Sequence, residues 1–78
     1  AKDLGPRGIL VNAVQPGPID TDLNPSDDSE KASFMRSMTA LGRYGTAEEV
    51  AALVVFLAGP DSGNITGATL NVDGGWNA

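Results

Sequence analysis

The sequence has 78 residues and contains no cysteine and no histidine. Without cysteine there is no disulfide framework and no thiolate ligand, and without histidine there is no imidazole ligand for a transition metal. The same two absences exclude a Cys/His or Ser/His nucleophile pair within these positions. We therefore expect no metal site here, and several classes of hydrolase are excluded.

Positive charge is also scarce, since five Lys and Arg residues stand against ten Asp and Glu, for a net charge of −5. That is the wrong sign for following a phosphate backbone or an anionic bilayer, so neither nucleic acid nor a membrane is expected as a partner. No apolar run approaches the roughly 20 residues of a membrane-spanning helix, and the beginning lacks the layout of a signal peptide. We expect a cytoplasmic protein.

The first eight residues are typical of the end of a helix. Residues 1–4 favour a helix, Gly5 is placed to take the left-handed conformation after it, and Pro6 cannot continue it. Four residues cannot nucleate a helix, so we expect residues 1–8 to end a helix whose body lies outside this sequence. An irregular N-terminal tail is the alternative. The sequence is thus expected to be a C-terminal piece of a longer protein, because chains below about 70–80 residues have marginal cores.

The remaining pattern predicts a strand, a helix and a second strand. Residues 9–14 form a nearly unbroken apolar run that is typical of a strand buried on both faces. Thr46 and Glu49 form a capping-box pattern at the start of a largely apolar helix over residues 46–59. Residues 68–72 alternate and predict the second strand. We therefore expect an α/β fold, in which a right-handed crossover makes the two strands parallel.

Two segments between these elements are candidates for function. The loop of residues 15–21 follows the first strand directly, at the end of a parallel sheet where ligands commonly bind. Pro16 and Pro18 restrict this loop around Gly17, which allows a ligand close to the main chain, although a rigid turn that only reverses the chain is the alternative. Residues 22–45 read as a mobile excursion with one or two short helices. Four apolar residues within it could line a pocket or cover the core: Phe34, Met35, Met38 and Leu41.

Five motifs occur in order along the whole sequence, and together they resemble the C-terminal part of the short-chain dehydrogenase/reductases, most closely the ketoacyl-reductase-like members. They are Gly5-Pro6-Arg7-Gly8-Ile9 with Val11-Asn12, Pro16-Gly17 with Ile19 and Thr21, Gly42-Arg43 with Gly45 and Glu48-Glu49-Val50-Ala51, Ile65-Thr66-Gly67, and Val72-Asp73-Gly74-Gly75. The resemblance implies the βαβ end of a doubly wound, parallel Rossmann-like sheet. It also implies a parent enzyme that uses NAD or NADP to interconvert a ketone and a secondary alcohol.

The resemblance also assigns roles to single positions. Pro16 and Gly17 would line the nicotinamide ring, Ile19 would contact the carboxamide through its backbone, and Thr21 would hydrogen-bond the carboxamide or the pyrophosphate. Residues 22–45 would form the lid over a small carbonyl or alcohol substrate. The segment that begins at Asp73 would follow the last strand at a surface that often pairs subunits, so a homo-oligomer is expected.

The family's Gly-rich phosphate turn, catalytic Ser and Tyr-x-x-x-Lys pair have no counterpart in these positions. Tyr44 cannot replace that tyrosine, because Glu48 stands four residues later. We therefore expect no catalytic residue here, and no activity from this chain alone. Two alternatives concern other classes of protein. The chain could be a non-catalytic module that self-associates through its apolar helix, or Asp20, Asp22 and Asn24 could open a calcium loop, although Pro25 and Lys31 break that pattern.

Overall fold

Two short parallel strands form the centre of the structure, a computed structural model that describes residues 1–76. Strand β1 (Ala13–Pro16) pairs with strand β2 (Thr69–Val72), with Ala13 opposite Thr69 and Pro16 opposite Val72. Between them lie helix α1 (Glu30–Ser37) and helix α2 (Ala47–Ala58). Parallel neighbours require a crossover connection, and the segment that contains both helices provides it. The predicted α/β class with a parallel strand–helix–strand arrangement is confirmed.

Strand β1 begins and ends later than the residues 9–14 predicted for it. The residues before Ala13 pair with the turn that precedes β2. Val11 donates its N–H to Thr66 Oγ1 over 3.0 Å, and Gly67 donates its N–H to the Val11 carbonyl over 2.7 Å. The apolar run therefore meets an irregular partner first, and the regular ladder starts only where β2 becomes extended.

One side chain ties this irregular pairing together. Asn12 donates from Nδ2 to the Ile65 carbonyl over 3.0 Å, and its Oδ1 accepts the N–H of Ala68 over 3.0 Å. A single amide thus satisfies a carbonyl and an N–H of the turn immediately before the ladder begins. Asn12 fixes where β2 starts relative to β1.

Helix α2 has the predicted capping box at its N-terminus. Thr46 Oγ1 accepts the N–H of Glu49 over 3.1 Å, and a carboxylate oxygen of Glu49 accepts the N–H of Thr46 over 3.0 Å. The helix ends at Ala58 and is followed by a short 3-10 helix, Pro60–Ser62. The buried hydroxyl of Ser62 donates to the Leu57 carbonyl over 2.8 Å, which satisfies one of the last carbonyls of α2.

The N-terminal turn differs from the sequence prediction. Gly5 was expected to take the left-handed conformation, and this is wrong: Gly5–Arg7 form a short 3-10 helix, and Gly8 is left-handed at φ 76°. Pro6 fits within the first turn of such a helix, where its fixed φ is suitable and no N–H is needed. The turn therefore continues through Arg7 and requires a left-handed residue only at Gly8.

The described residues enclose little apolar surface. Among residues 1–76, the buried hydrophobic side chains are Ala32 and Tyr44. The radius of gyration is 15.2 Å, whereas a compact chain of this length would have about 11.5 Å. The large apolar side chains left exposed are Ile9, Leu10, Val11, Leu23, Phe34, Met38, Leu41, Val54, Val55 and Phe56. No helix within residues 1–76 is both long enough and apolar enough to cross a bilayer.

Candidate functional site

A cleft of about 320 Å³ opens where both strands end. Its lining residues are Gln15, Pro16, Gly17, Pro18, Asn24, Met35, Asp73 and Trp76. The carboxyl ends of parallel strands are the usual position of ligands in such sheets. The loop predicted to bind a cofactor therefore contributes to a real concavity. Of the four predicted site residues, Pro16 and Gly17 line the cleft, while Ile19 and Thr21 lie further along the loop.

Gly17 sits against the backbone that follows β2. Its N–H donates to the Val72 carbonyl over 3.0 Å, which extends the ladder by one residue. A Cβ atom at this position would lie 2.7 Å from both Cα and Cβ of Asp73. We expected glycine here because a ligand must approach closely. The structure adds a second reason, since the neighbouring main chain already occupies the space of a side chain.

Ile19 presents two unused backbone groups. An isolated parallel bridge joins Ile19 to Gly45, in which Gly45 donates its N–H to the Pro18 carbonyl over 2.8 Å and Asp20 donates its N–H to the Gly45 carbonyl over 3.0 Å. The N–H and C=O of Ile19 itself make no hydrogen bond to any of residues 1–76. A carboxamide has a carbonyl oxygen that accepts and an amino group that donates, so it can pair with the free N–H and C=O of Ile19.

Thr21 closes a small turn at the end of the loop. Its Oγ1 accepts the N–H of Asn24 over 3.2 Å, so the hydroxyl hydrogen is free to donate to a ligand. Asn24 lines the cleft, which places the turn beside it. Asp20 of the same loop accepts the N–H of Ser26 over 2.9 Å. Within residues 1–76 there is no group of three acidic residues that could hold a metal ion, so the calcium alternative gains no support.

The expected lid contains one helix, α1, which is capped by Ser29 through a hydrogen bond of 3.1 Å from the Ala32 N–H. Of the four apolar residues with two possible roles, Met35 lines the cleft. Phe34 on the same helix is 60% exposed, and Met38 and Leu41 are also exposed. The lid therefore contributes one apolar side chain to the cleft and leaves the others uncovered by the described residues.

The end of the lid is attached to the segment after β2. Ala40 donates its N–H to the Gly75 carbonyl over 3.1 Å, and Leu41 donates its N–H to the Gly74 carbonyl over 3.0 Å. Both glycines are left-handed, at φ 61° for Gly74 and 80° for Gly75. This conformation turns their carbonyls towards the lid, and it is accessible to glycine at little cost.

Arg43 and Glu49 form a two-pronged ion pair between the lid and α2. Both guanidinium–carboxylate distances are 3.0 Å, and Arg43 Nη1 also donates to the Tyr44 carbonyl over 3.0 Å. The hydrogen bond from Arg43, followed by that from the Thr46 N–H, lowers the pKa of Glu49 from 4.5 to about 2. Glu49 is therefore ionised in the folded protein at neutral pH.

Several parts of this site were not predicted from the sequence. Asp73 was expected only at a surface between subunits, yet it lies against Gly17 and lines the cleft together with Trp76. Glu49 was expected as a capping residue and Arg43 as part of a motif, but their ion pair was not predicted. A basic residue six positions before an acid at a helix start is a usable signal, because the intervening turn brings the two side chains together.

Comparison with known proteins agrees with this geometry. The profile of the family described as enoyl-(acyl carrier protein) reductase matches residues 1–77. The chain is also 43% identical over 76 residues to the 3-oxoacyl-(acyl-carrier-protein) reductase FabG of Vibrio harveyi, an alignment that covers 96% of this chain and 31% of that protein. This chain belongs to the short-chain dehydrogenase/reductase family, as its motifs predicted.

Solved structures confirm the fold as part of a Rossmann-type domain. A short-chain dehydrogenase/reductase from Serratia marcescens superposes with a TM-score of 0.96 at 55% identity, covering 100% of this chain and 31% of that one. A blue fluorescent protein from a metagenomic library, in complex with NADPH, superposes with a TM-score of 0.93 at 51% identity and the same coverage. The chain spans about a third of the length of the relatives it matches.

The ion pair predicts a specific pH dependence of stability. Because the pKa of Glu49 is lower in the folded state, its contribution is complete above about pH 4.5 and is lost as the pH falls towards 2. Glu49→Gln keeps an acceptor for the capping box but removes the charge. We expect the melting temperatures of the two proteins to differ above pH 5 and to converge as the pH falls below 4.

This measurement uses a chimera in which the present sequence replaces the matching segment of the metagenomic blue fluorescent protein, whose structure contains NADPH. Hydrogen bonds from Ser29 also lower the pKa of Asp27. It is present in both proteins, so the difference between them isolates Glu49. A constant difference from pH 7 to pH 3 would contradict the prediction.

Proposed function

We propose that this chain is the nicotinamide-side portion of an NAD(P)-dependent oxidoreductase that interconverts a ketone and a secondary alcohol. The observation that carries the proposal is the free N–H and C=O of Ile19, one residue beyond the cleft-lining Pro18. These two groups fit the carbonyl and the amino group of a nicotinamide carboxamide. The family membership of the chain and the NADPH complex of one relative support the same cofactor class.

In this proposal the chain binds and orients, while the cofactor supplies the hydride chemistry when it is bound. Pro16 and Gly17 form one wall of the ring pocket. The Ile19 backbone holds the carboxamide in place, which fixes the rotation of the ring about its glycosidic bond and so decides which ring face meets the substrate. The helix and turns of residues 22–45 form the lid, with Met35 facing the cleft and the anchor at Gly74 and Gly75 acting as its fixed end. The lid would exclude water from a small carbonyl or alcohol substrate.

The family's proton donor and phosphate-binding turn have no counterpart among these 78 residues. For that reason we expect the chain alone to be inactive and the assembled parent to work as a homo-oligomer in the cytoplasm. In the chimera, NADPH binding and NADPH-dependent reduction of a panel of ketones test the proposal directly. A folded chimera that neither binds NADPH nor reduces any ketone of the panel would contradict the proposal.

Thr21 provides a sharper test of the same loop. Thr21→Val keeps the shape but removes the hydroxyl that is free to donate, whereas Thr21→Ser keeps it. We expect Thr21→Val to weaken NADPH binding by about three- to tenfold, the effect of one lost hydrogen bond, and Thr21→Ser to remain within about twofold. Fluorescence titration of NADPH measures both. Equal losses in the two variants would assign the effect to packing and not to the hydroxyl.

A second candidate function has its own observation. The exposed apolar side chains of α2, with Val55 70% exposed, and the large radius of gyration favour a chain that associates with another copy when it is alone. We expect the isolated chain to sediment as a dimer or larger species and to melt without a sharp cooperative transition. A monomer with a sharp transition in analytical ultracentrifugation and calorimetry would contradict this candidate without affecting the first.

A further inference from the structure

The backbone of Ile19 is positioned by a unit that lies outside the cleft. Gly45 makes both hydrogen bonds of the bridge to this loop, and it stands between the ion-paired Arg43 and the capping residue Thr46. Its own position therefore depends on what holds residues 43–46. A Cβ atom on Gly45 would lie 3.0 Å from Cδ1 of Ile19, so the two segments are already in close contact.

Arg43 joins the parts of this unit. Its guanidinium contacts both carboxylate oxygens of Glu49, and Nη1 also contacts the Tyr44 carbonyl, all at 3.0 Å. The same carboxylate accepts the N–H of Thr46. The two backbone groups on either side of Gly45 are thus fixed to one planar pair of side chains. Tyr44 is 5% exposed, which anchors the segment on its inner side.

Arg43 is also tied to the C-terminal end of the lid helix α1 through its backbone. Its N–H donates to the buried Thr39 hydroxyl over 3.2 Å, and that hydroxyl donates to the Arg36 carbonyl over 3.0 Å. A second cleft of about 400 Å³ is lined by Arg43, Gly45 and Glu49 together with Asp73, Gly74 and Gly75. The ion pair therefore lies beside the segment that follows β2, and Gly45 connects it to the cofactor loop through the bridge to Ile19.

We propose that Arg43, through its paired contact with Glu49 and Tyr44, is a positioning residue that sets the Ile19 backbone for the nicotinamide carboxamide. This inference rests on the proposed function. The pair is half exposed, so its contribution to stability is modest, and its effect on cofactor binding is geometric. A lysine cannot reproduce the two parallel hydrogen bonds of the guanidinium, and it would leave the Tyr44 carbonyl and Glu49 to find separate partners.

The test compares two ligands in the chimera. NADPH carries the nicotinamide ring, whereas 2′-phospho-ADP-ribose is the oxidised cofactor without its nicotinamide. We expect Arg43→Lys and Glu49→Gln to weaken NADPH binding by about five- to tenfold and to leave binding of 2′-phospho-ADP-ribose within about twofold. Turnover at saturating NADPH should fall by a similar factor or more, because a misaligned ring reacts slowly.

Matched controls separate position from charge and folding. Arg7→Lys makes the same exchange on the N-terminal turn, and Glu48→Gln removes a charge from the same turn of α2 without touching Arg43. Both should bind NADPH like the unmodified chimera. Glu49→Gln retains the capping acceptor, so it remains informative if Arg43→Lys fails to fold.

Three results would overturn the inference. The first is unchanged NADPH binding and turnover in both variants. The second is an equal loss of affinity for NADPH and for 2′-phospho-ADP-ribose, which would indicate a purely structural role. The third is a loss of NADPH affinity no larger than that of the controls Arg7→Lys and Glu48→Gln. The proposed function itself fails if the unmodified chimera binds NADPH no more tightly than 2′-phospho-ADP-ribose and Thr21→Val changes neither affinity. That result is distinct from the three outcomes above.

Discussion

Replacing Gly17 with alanine is expected to destabilise the folded chimera by about 3 kcal/mol and to abolish measurable NADPH binding. The added Cβ would meet Cα and Cβ of Asp73 at 2.7 Å and its carbonyl oxygen at 3.0 Å. The neighbouring atoms belong mainly to the main chain, so no rotamer change relieves the overlap. One of the two strand ends must move, and the hydrogen bond from Gly17 to Val72 is strained or lost with it.

The measurement is urea denaturation of the two proteins together with NADPH titration. Gly5→Ala is the matched control, because nothing lies within 4 Å of the Cβ it would add and Gly5 has no left-handed φ. We expect this control to stay within about 0.5 kcal/mol of the parent. A Gly17→Ala protein of parental stability and affinity would show that the ends of β1 and β2 are farther apart than the structure places them.

Replacing Asn12 with alanine is the second large effect, with an expected loss of about 2–3 kcal/mol. The change removes two hydrogen bonds at once and leaves the Ile65 carbonyl and the Ala68 N–H without their partner. Both groups are part of the turn that sets the beginning of β2. We also expect faster amide exchange at Ala68 and Ala13, because the latter donates to the Ala68 carbonyl over 2.9 Å.

Asn64→Ala is the control for this change. Asn64 lies exposed in the preceding turn, and its side chain makes no hydrogen bond to any of residues 1–76. Denaturation midpoints and hydrogen exchange of the two variants are compared in the same chimera. A loss at Asn12 no larger than at Asn64 would mean that the turn is held by Thr66 and Gly67 alone.

The local elements were predictable where a short-range rule decides them. The side chains of Thr46 and Glu49 each accept a hydrogen bond from the other residue's backbone N–H. Four adjacent residues are therefore enough to predict the start of α2. The parallel arrangement followed from the order of strand, helix and strand. The left-handed residue of the first turn was misplaced at Gly5 because two glycines flank Pro6-Arg7, and only the continuation of the 3-10 turn selects Gly8.

The site was less predictable because its contacts are distant along the chain. Gly17 meets Asp73 only after β1 and β2 have paired, and no local pattern reports that approach. In the same way, the pairing of Ile19 with Gly45 joins two loops whose proximity depends on the whole lid. The predicted start of β1 was too early for the corresponding reason, since the partner of Val11 is a turn 55 residues away.

The bridge between Ile19 and Gly45 has a consequence for what the loop can distinguish. It is a sheet edge only one residue wide, and its outward side offers one N–H and one C=O. A primary amide can complete it like a further strand, giving and accepting one hydrogen bond. A carboxylate can accept from the N–H but places negative charge against the carbonyl, so a dinucleotide that carries nicotinic acid in place of nicotinamide should be refused. The backbone of Ile19 would thus distinguish nicotinamide from nicotinic acid without the help of a charged side chain.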